Sequence, residues 1–396
     1  MFKGKNIILG VTSSIAAYKS ANVASALVKK GCNVNVLMTQ NATNFINPLT
    51  FEELTKHKCI TDTFDRNVQY NVAHISLATS ADAFIIAPAS ANVIGKIANG
   101  IADDMLTTTV MACKCPVIIS PAMYTNMYEN PIVQDNLAKL ERFGYIIVPP
   151  AEGRLACGTV GKGKMPDEQV LLDYLERALS DKQDFKGKRV LVTAGPTQES
   201  IDPVRYITNH SSGKMGYAVA RQAMLRGAEV TLVSGKVNLP PVPFVKMIYI
   251  TTAEDMYNAV TAEFENTDIV VKAAAVADFR PKRIASDKLK KADGMDSIEL
   301  EPTKDILKEL GKNKKTQFIC GFSMETQNMT ENSKKKLDTK NLDMIVCNNL
   351  KVEGAGFQGD TNVVTIIDKT NTTELGIMSK TEVADKILDR IAELNK

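Results

Sequence analysis

The fold is decided by the stretch KNIILGVTSSIAAYKSANVASALVKKGCNVNVLM, residues 5–38. Its first part, KNIILGVT, predicts a buried strand, and SIAAYKSANVASALVKKG has the apolar spacing of a helix that ends at Gly31. NVNVLMT then predicts a second strand. Strands separated by helices of this length are typical of a parallel, doubly wound sheet.

The same alternation continues along the chain. Further strands are predicted at ADAFIIAPA, CPVIISPA and GYIIVPP, and PDEQVLLDYLERALS predicts an amphipathic helix. After the polar stretch DKQDFKGK the pattern restarts at RVLVTAG, and five more strands are predicted at EVTLVSG, DIVVKAAAVADF, TQFICGFS, LDMIVCNN and NVVTIID. We therefore predict an α/β protein with two doubly wound domains, covering residues 1–183 and 184–396.

Composition excludes several classes of protein. The 396 residues are 44% hydrophobic and 23% charged, with a net charge of +3, which gives no indication of nucleic-acid binding. Seven cysteines without framework spacing argue against a secreted disulfide protein. No stretch is long and apolar enough to span a membrane, and the N-terminal apolar run is too short for a signal peptide. We expect a cytoplasmic protein with reduced thiols.

Polar side chains follow two of the predicted strands in the first half. Ser13 and Ser14 lie between the first strand and its helix, where they can cap the helix and bind a phosphate beside free backbone N–H groups. Ser90 and Asn92 follow the strand ADAFIIAPA, at the sheet edge where α/β proteins bind ligands. Both pairs are also ordinary residues of a helix entry. A G-x-G-x-x-G fingerprint for dinucleotides is absent.

One cysteine lies among five glycines, in GRLACGTVGKGKM, residues 153–165. Glycine at this density predicts a mobile loop, and the nearby Lys162 and Lys164 favour a thiolate or proton-transfer role for Cys157. His74, in NVAHISLA, can reach a pocket at the sheet edge or serve a structural role. Cys113 and Cys115 form a C-x-C pair without a second pair at ligand spacing, which argues against zinc.

The second half opens with a long polar turn that contains SSGKMG, residues 211–216. This is not a P-loop, because Thr208 stands in place of the first glycine and Met215 in place of Ser/Thr. It still predicts a glycine loop at a helix N-terminus, which suits an anion. SDKLKK groups Lys288, Lys290 and Lys291, either as a solvated surface or as a lysine loop for a triphosphate.

Together these motifs resemble one family: the bacterial bifunctional phosphopantothenoylcysteine decarboxylase/phosphopantothenate–cysteine ligase of coenzyme A biosynthesis. GVTSSIAAYK, AHISLATSADAFIIAPASAN and ACGTVGKGKM are similar to its flavin decarboxylase half, and TAGPTQESIDPVRYITNHSSGKMG, AAAVADF, DKLKK and GFSMET to its ligase half. The resemblance implies a flavodoxin-like FMN domain and a Rossmann-like nucleotide-binding ligase domain.

The resemblance also implies two reactions on small-molecule substrates. CTP converts the carboxylate of 4′-phosphopantothenate to an acyl-cytidylate, which the amine of L-cysteine attacks. FMN then serves in the decarboxylation of 4′-phosphopantothenoylcysteine to 4′-phosphopantetheine, because it can oxidise the thiol temporarily to a thioaldehyde and so accept the electrons of the lost carboxylate. By similarity Cys157 is the acid that protonates the resulting enethiolate, and its loop is a flap over the substrate.

Site residues are carried over from the family motifs by position. His74 is expected to act across a subunit interface, Asn209 on the acyl-cytidylate, Lys288 on the phosphate charge and Arg205 on the substrate. FMN contacts are expected at Ser13, Ser14, Thr39, Ser90 and Asn92. CTP contacts are expected at Ala273, Ala274, Asp278, Lys288, Lys304, Asp305, Ile306, Leu307, Phe322, Lys336 and Lys340, with Mg²⁺ at Asp278. The family suggests a homo-oligomer, with a trimer-based decarboxylase core and a dimeric ligase.

One segment departs from the family pattern P-x-M-N-x-x-M. Here it reads PAMYTNMY, residues 121–128, with Tyr124 in the asparagine position and Asn126 two residues later. The alternatives to a two-reaction enzyme are therefore a ligase with an impaired flavin domain, an FMN-binding regulatory protein, and an NAD(P)-dependent reductase. The missing dinucleotide fingerprint argues against the last, and the intact ligase motifs argue against the regulatory protein.

Overall fold

A computed structural model describes residues 1–64, 73–290, 297–324, 329–348, 356 and 359–395. The chain divides into two compact units, Met1–Ser180 and Asp181–Lys396. Lys291, part of the lysine run noted above, lies outside the described residues. No helix in the described ranges combines the length and the apolar character needed to cross a membrane.

A five-stranded parallel sheet forms the centre of the first unit. Its strands are β1 (Asn6–Val11), β2 (Asn33–Met38), β3 (Ala83–Ala89), β4 (Val117–Pro121) and β5 (Ile146–Ile147). They lie in the order β2-β1-β3-β4-β5, the flavodoxin-like order of a doubly wound sheet. Nearly every side chain of β1 and β3 is buried, as expected for strands covered on both faces. The predicted parallel α/β architecture is confirmed in this unit.

Helices cover both faces of this sheet. They are α1 (Ala17–Lys29), α2 (Pro48–Thr55), α3 (Ala73–Ser80), α4 (Ala91–Ala98), α5 (Met105–Ala112), α6 (Thr125–Tyr128), α7 (Pro131–Arg142) and α8 (Glu168–Ala178), with a 3₁₀ helix at Gln40–Asn44. Two apolar clusters result, one on each side of β1 and β3. Ile7 and Leu9 belong to one cluster and Ile8 to the other, since successive strand residues face opposite sides.

The glycine-rich stretch is not the mobile loop that its composition predicts. It forms an antiparallel hairpin of β6 (Ala151–Arg154) and β7 (Val160–Lys164), with Cys157 in the connecting turn. The turn is closed by hydrogen bonds from the Leu155 N–H to the Thr159 carbonyl (2.8 Å) and from the Gly158 N–H to the Leu155 carbonyl (2.9 Å). Glycine is needed here for close packing of backbones, as described below, rather than for mobility.

The second unit contains an eight-stranded sheet in the order β12-β11-β8-β13-β16-β17-β19-β20. These strands and the shorter strand pairs are β8 (Arg189–Ala194), β9 (Gln198–Ser200), β10 (Tyr206–Thr208), β11 (Glu229–Ser234), β12 (Lys246–Tyr249), β13 (Ile269–Lys272), β14 (Phe279–Pro281), β15 (Leu300–Pro302), β16 (Phe318–Met324), β17 (Met344–Asn348), β18 (Thr361–Asn362), β19 (Val364–Asp368), β20 (Thr372–Glu374) and β21 (Met378–Ser379). The first six strands in the sheet order are parallel and have the Rossmann arrangement, with β8 and β13 at the centre.

Two expectations for this sheet need correction. NVVTIID was expected in a parallel sheet, but β19 pairs antiparallel with β17 because the chain returns directly instead of crossing over a helix. DIVVKAAAVADF was expected as one strand, but β13 ends at Lys272 and β14 begins at Phe279. The six residues between them, 273–278, form a turn at the carboxyl edge of the sheet.

Helices pack on both faces of this sheet as well. They are α9 (Lys214–Leu225), α10 (Ala253–Phe264), α11 (Ile306–Asn313), α12 (Met329–Thr339) and α13 (Lys380–Leu394). One apolar cluster joins the sheet to α9 and α13, and a second joins the opposite face to α10, α11 and α12.

The first residues of the second unit are held to it through Arg226. The buried guanidinium pairs with Asp184, Asp385 and Asp389, and its central carbon lies 4.9 Å from the ring centroid of Phe185. The segment that precedes β8 is therefore anchored to α9 and α13 by charge and by aromatic packing.

Candidate active sites

A cavity of about 700 Å³ opens at the carboxyl ends of β1, β3 and β4. Ser13, Ser14, Ser90, Tyr124 and Cys157 all line it. In a sheet of this order the crevice between β1 and β3 is the topological switch point, where the strand order reverses and ligands bind. The volume is in the range of pockets for cofactors and drug-sized ligands.

Hydrogen bonds between the ends of β1 and β3 shape this crevice. The buried Thr12 hydroxyl donates to the Pro88 carbonyl (2.9 Å) and accepts from the Ser90 N–H (2.8 Å). The Ser90 hydroxyl in turn accepts from the Val93 N–H at the start of α4 (3.5 Å). Thr12 thus fixes the position of Ser90 at the crevice wall.

Ser13 and Ser14 do not cap α1 as predicted. The helix begins at Ala17, and its N-cap Ala16 makes no side-chain bond. The Ser14 hydroxyl accepts from the Ala16 N–H at 3.3 Å, within the turn before the helix. Both serines are partly exposed and face the cavity, where hydroxyl and N–H groups together suit an oxyanion.

The buried hydroxyl of Thr39 is without a hydrogen-bond partner among the described residues. Thr39 follows β2, and its backbone N–H donates to the carbonyl of Val11 (3.1 Å), which places it at the same sheet edge as the cavity. A buried polar atom without a partner is costly, so this hydroxyl fits a bound ligand. Asn92 is different: it is exposed on α4 and does not line the cavity.

Cys157 is exposed at the tip of the hairpin and lines the cavity. Its sulfur lies 3.1 Å from the Thr159 hydroxyl. The hydrogen bond from this hydroxyl, followed by that from the Thr159 backbone, lowers the pKa of the Cys157 thiol below its usual value. A thiol of lowered pKa is a better proton donor, which is compatible with the role of an acid.

The hairpin is packed against the segment Met123–Thr125. The Met123 N–H donates to the Gly163 carbonyl at 3.0 Å. Gly163 has φ +127°, and a Cβ there would lie 2.2 Å from the Met123 carbonyl oxygen; a Cβ at Gly161 would lie 2.5 Å from the Thr125 hydroxyl. Only glycine allows this approach, which brings Cys157 and Tyr124 into one cavity.

The structure separates three residues that sequence reasoning grouped. Tyr124 precedes α6 and lines the cavity, together with Met127. Asn126 is exposed and is not among the lining residues, so it does not take the place of an asparagine at position 124. His74, on α3, is partly buried and does not line this cavity either.

Sequence reasoning missed three cations that line the same cavity: Lys19, Arg154 and Lys164. The Lys19 ammonium donates to the Met165 carbonyl at 3.2 Å. A sequence signal existed for Arg154 and Lys164, which flank Cys157 within the glycine-rich stretch, but only hairpin pairing shows that both face the cavity.

The second candidate site lies at the corresponding switch point of the second unit, between β8 and β13. The turn of residues 273–278 is bonded to the β8 side at several points: the Ala274 N–H donates to the Thr193 hydroxyl (3.1 Å) and the Ala275 N–H to the Gly195 carbonyl (3.0 Å). The Asn209 side-chain amide donates to the Ala275 carbonyl at 3.0 Å. Asn209 and Ala274, both predicted site residues, are therefore brought together.

A small cavity of about 80 Å³ lies beside this turn. Ala273, Ala274 and Phe322 line it, as do residues 211–216 at the start of α9. The predicted glycine loop is confirmed, since Gly213 is the N-cap of α9 with φ +77°. The N–H groups and positive dipole end of this helix favour an anionic ligand.

Arg205 is tied to the segment that carries Lys288. Its guanidinium donates to the Asp202 carboxylate and, at 2.7 Å, to the Leu289 carbonyl, while the Leu289 N–H donates to Asp202 at 3.2 Å. The hydrogen bonds from Arg205 hold the pKa of Asp202 well below its usual range. Arg205 thus orients the lysine segment, and Lys288 itself is exposed.

A third cavity, of about 690 Å³, is lined by Lys304, Asp305 and Lys340. The Lys340 ammonium pairs with Asp305 at 2.8 Å, and that of Lys304 pairs with Glu254 at 2.7 Å. Lysines at this position suit a phosphate or a ribose. Lys336 lies one turn before Lys340 on α12.

Two predicted CTP contacts are core residues. The side chains of Ile306 and Leu307 are buried between the sheet and α11. Only their backbone groups at the start of α11 are available to a ligand, so the prediction of side-chain contacts there is wrong.

Asp278 is exposed, and no group of three His, Cys, Asp or Glu side chains in the described ranges is placed to hold a metal ion. Mg²⁺ is commonly held by one or two carboxylates together with substrate phosphates. A single carboxylate at position 278 therefore fits a metal that arrives with a nucleotide, and does not fit a resident metal site.

Comparison with known proteins identifies both halves. A flavoprotein family model matches residues 1–180, and the model of the DNA/pantothenate metabolism flavoprotein C-terminal domain matches residues 185–394. The coenzyme A biosynthesis bifunctional protein CoaBC of Bacillus subtilis is 48% identical over 100% of this chain and 98% of its own length. CoaBC of Vibrio parahaemolyticus is 42% identical over 99% and 98%. A crystal structure of a CoaBC C-terminal domain is 45% identical, covers 54% of this chain and 98% of its own, and gives a TM-score of 0.47.

Fold and sites thus define a two-domain flavoprotein enzyme with a second ligand site at the switch point of a Rossmann-like sheet. The chain belongs to the family of bifunctional coenzyme A biosynthesis proteins. As a member it catalyses two successive steps, the ligation of cysteine to 4′-phosphopantothenate and the decarboxylation of the product.

Proposed function

We propose that the first unit decarboxylates 4′-phosphopantothenoylcysteine with FMN in the crevice between β1 and β3. Ser13, Ser14 and Ser90 would hold the cofactor from the crevice wall, and the unpartnered hydroxyl of Thr39 would gain a hydrogen bond. Bound FMN supplies a two-electron acceptor for the substrate thiol and later returns the hydride. Asn92, exposed outside the cavity, would contribute only from its rim.

Cys157 would donate the proton that completes the reaction. Its thiol is held at the cavity by the hairpin and has a lowered pKa because the Thr159 hydroxyl hydrogen-bonds to the sulfur. The hairpin also covers the cavity, which limits water at the point where the carbanionic product must be protonated. The observation that carries this proposal is the single cavity that unites the serines of the flavin crevice with Cys157.

His74 would act in the cavity of a neighbouring subunit. In its own chain it lies on α3, away from the lining residues, and the adjacent Ile75 is 51% exposed. An exposed apolar residue beside a predicted catalytic histidine is typical of a subunit contact. We therefore propose a homo-oligomer, with trimers of the first unit and dimers of the second.

The second unit would use CTP to activate the pantothenate carboxylate as an acyl-cytidylate. Ala273, Ala274 and Phe322 would receive the nucleotide, while Lys336 and Lys340 would bind its polar groups. Asp278 would hold Mg²⁺ against the phosphates. An unactivated carboxylate is a poor acyl donor, so this step makes the later attack by the cysteine amine possible.

Lys288 and Asn209 would act on the reacting atoms. Lys288 would stabilise negative charge at the attacked phosphate, from a segment that Arg205 and Asp202 hold in place. The Asn209 amide, which donates to the Ala275 carbonyl in the free protein, would turn to the acyl-cytidylate.

Product analysis of the intact chain tests both proposals. Incubation with 4′-phosphopantothenate, cysteine, CTP and Mg²⁺ should release CMP and pyrophosphate, and then CO₂, from a protein with a flavin absorption spectrum. Asn209→Ala should abolish CMP release but not decarboxylation of added 4′-phosphopantothenoylcysteine, and Cys157→Ala the reverse. ATP hydrolysis in place of CTP, or absence of flavin, would contradict the respective half.

We also propose that residues 1–183 and 184–396 are the functional domains. A break after residue 183 keeps Asp184 and Phe185, which contact Arg226, with the second unit. A fragment that starts at Asp184 should therefore fold and form the cysteine amide from CTP. A folded fragment that binds no CTP would contradict this division.

A further inference from the structure

Lys272 is a charged residue at the end of a buried central strand. It is the last residue of β13, whose first three residues are all buried. In the sheet register it lies between Thr193 of β8 and Gly321 of β16. It therefore stands at the carboxyl edge of the switch point, directly before the turn that carries Ala273 and Ala274.

Strand alternation decides which face Lys272 occupies. Ile269 and Val271 belong to the apolar cluster with α9 and α13, and Val270 belongs to the cluster with α10, α11 and α12. Lys272 shares the face of Val270 because side chains two residues apart point the same way. On that face it lies near Asp305 and Lys340, two of the proposed CTP contacts.

The ammonium of Lys272 makes no hydrogen bond or ion pair with any residue in the described ranges, although it is partly buried. The nearest carboxylates are otherwise engaged or distant: Asp305 already pairs with Lys340 at 2.8 Å, and Asp278 is exposed. Burial, with a smaller contribution from the positive charge of Lys340, lowers the pKa of Lys272 to about 8. A partly buried charge without a partner destabilises the free protein.

We propose that Lys272 is a further nucleotide-binding residue, whose ammonium meets phosphate oxygens of CTP next to the turn of residues 273–278. The inference rests on the proposed CTP site and extends it. A phosphate supplies the counter-charge that the described protein groups do not, and it does so at the sheet edge where the nucleotide is expected. The phosphate of 4′-phosphopantothenate has the same chemistry, so the two sources need separate titrations.

The test compares Lys272→Met and Lys272→Arg in the full chain. Met keeps the length and apolar stem but removes the charge, while Arg restores the charge. Lys246→Met is the matched control, because Lys246 is an exposed lysine on β12 paired with Glu263. Calorimetry with CTP and Mg²⁺, and with 4′-phosphopantothenate alone, gives the two affinities, and pyrophosphate release gives KM and kcat.

Lys272→Met should weaken CTP binding and raise the KM for CTP at least about tenfold, as expected for loss of a charge-assisted contact. Its KM for cysteine and its decarboxylation should stay unchanged, and Lys272→Arg should recover most of the CTP affinity. Without CTP, Lys272→Met should unfold at a higher temperature than the original chain. A purely structural lysine would lower that temperature when replaced and would leave the KM for CTP unchanged.

The outcomes separate this inference from the function on which it rests. If the unchanged chain binds CTP and Lys272→Met binds it equally well, the inference is wrong and the proposed function stands. Weaker binding of 4′-phosphopantothenate alone would also overturn it. If the unchanged chain binds no CTP, the proposed function fails and the inference fails with it. Lys272→Gln is a second neutral variant should Met prevent folding.

Discussion

Replacement of Gly163 by alanine should lift the hairpin from its support without disturbing the rest of the protein. Gly163 has φ +127°, and its added Cβ would lie 2.2 Å from the Met123 carbonyl oxygen. That neighbour is backbone and cannot rotate away. The strand β7 must therefore move, and the Met123 N–H loses its 3.0 Å bond to the Gly163 carbonyl.

The expected cost follows from these contacts. A residue with a Cβ pays about 1–3 kcal/mol in this part of φ/ψ space. Loss of the interstrand hydrogen bond adds about 1 kcal/mol. Docking of the hairpin should thus weaken by about 2–4 kcal/mol. Since 1.36 kcal/mol corresponds to a factor of ten in rate, decarboxylation should fall on the order of 100-fold.

The assay uses the two activities of one chain. Phosphopantetheine formation from 4′-phosphopantothenoylcysteine reports the first unit, and CMP release reports the second as an internal control for folding and concentration. Gly144→Ala is the matched control variant: Gly144 has φ +88° but an added Cβ would meet nothing within 4 Å. It introduces comparable backbone strain in the same unit without touching the hairpin.

We expect Gly163→Ala to retain flavin and CMP release and to lose decarboxylation, and Gly144→Ala to retain all three. Unchanged decarboxylation by Gly163→Ala would refute the argument that hairpin docking positions Cys157. An equal loss of both activities would show that the variant unfolds the chain, and the magnitude above would then have no meaning for the site.

Four further predictions concern single side chains. Cys157→Ser should keep FMN but stall after loss of CO₂, so that mass spectrometry finds a product two hydrogens short of phosphopantetheine; full yield of the reduced product would argue against the assigned acid. Lys288→Gln should lose about 3–4 kcal/mol of barrier stabilisation in acyl-cytidylate formation with its fold intact, and unchanged pyrophosphate release would rule out the role. Tyr124→Asn should raise decarboxylation at least several-fold, because a phenol ring that crowds the substrate by about 1 Å can cost on the order of 100-fold in rate; equal or lower activity would mean that Tyr124 is a working substitute. Burial raises the pKa of Asp368, but the hydrogen bonds from Arg390 and neighbouring groups outweigh it and bring the folded value to about 2, against 3.8; this stability is present above pH 3.8 and is lost as the pH falls through 2, so Asp368→Asn should lower the free energy of unfolding by about 2 kcal/mol at pH 7 and by little at pH 2, and equal urea curves at pH 7 would contradict this.

The sequence alone was sufficient for the parallel core of each unit. Ile7–Val11 and Val190–Ala194 are short apolar runs followed by a polar turn and a helical pattern, and both became central strands. These features are local: the period of apolar residues and the position of glycine act within a few residues of one another. The edge positions of Ser13, Ser90 and Ala274 followed, because residues after parallel strands collect at one edge.

Only the tertiary structure decided how the glycine-rich stretch is used. Its composition is compatible with a mobile loop, and the hairpin arises because Gly161 and Gly163 can approach Thr125 and Met123, about forty residues earlier in the chain. The same holds for Asn126, which sequence spacing made a substitute for Tyr124 but which packing leaves outside the cavity.

The antiparallel β19 and the place of Lys272 were decided in the same way. A strand reads alike in either direction, so NVVTIID gave no sign that it would pair antiparallel with β17. The lysine that ends DIVVK reads as an ordinary strand terminus, and its lack of a partner is visible only once Asp305 is seen paired with Lys340. Local patterns specify elements because they depend on neighbouring residues, whereas the sites depend on contacts between residues that the fold alone brings together.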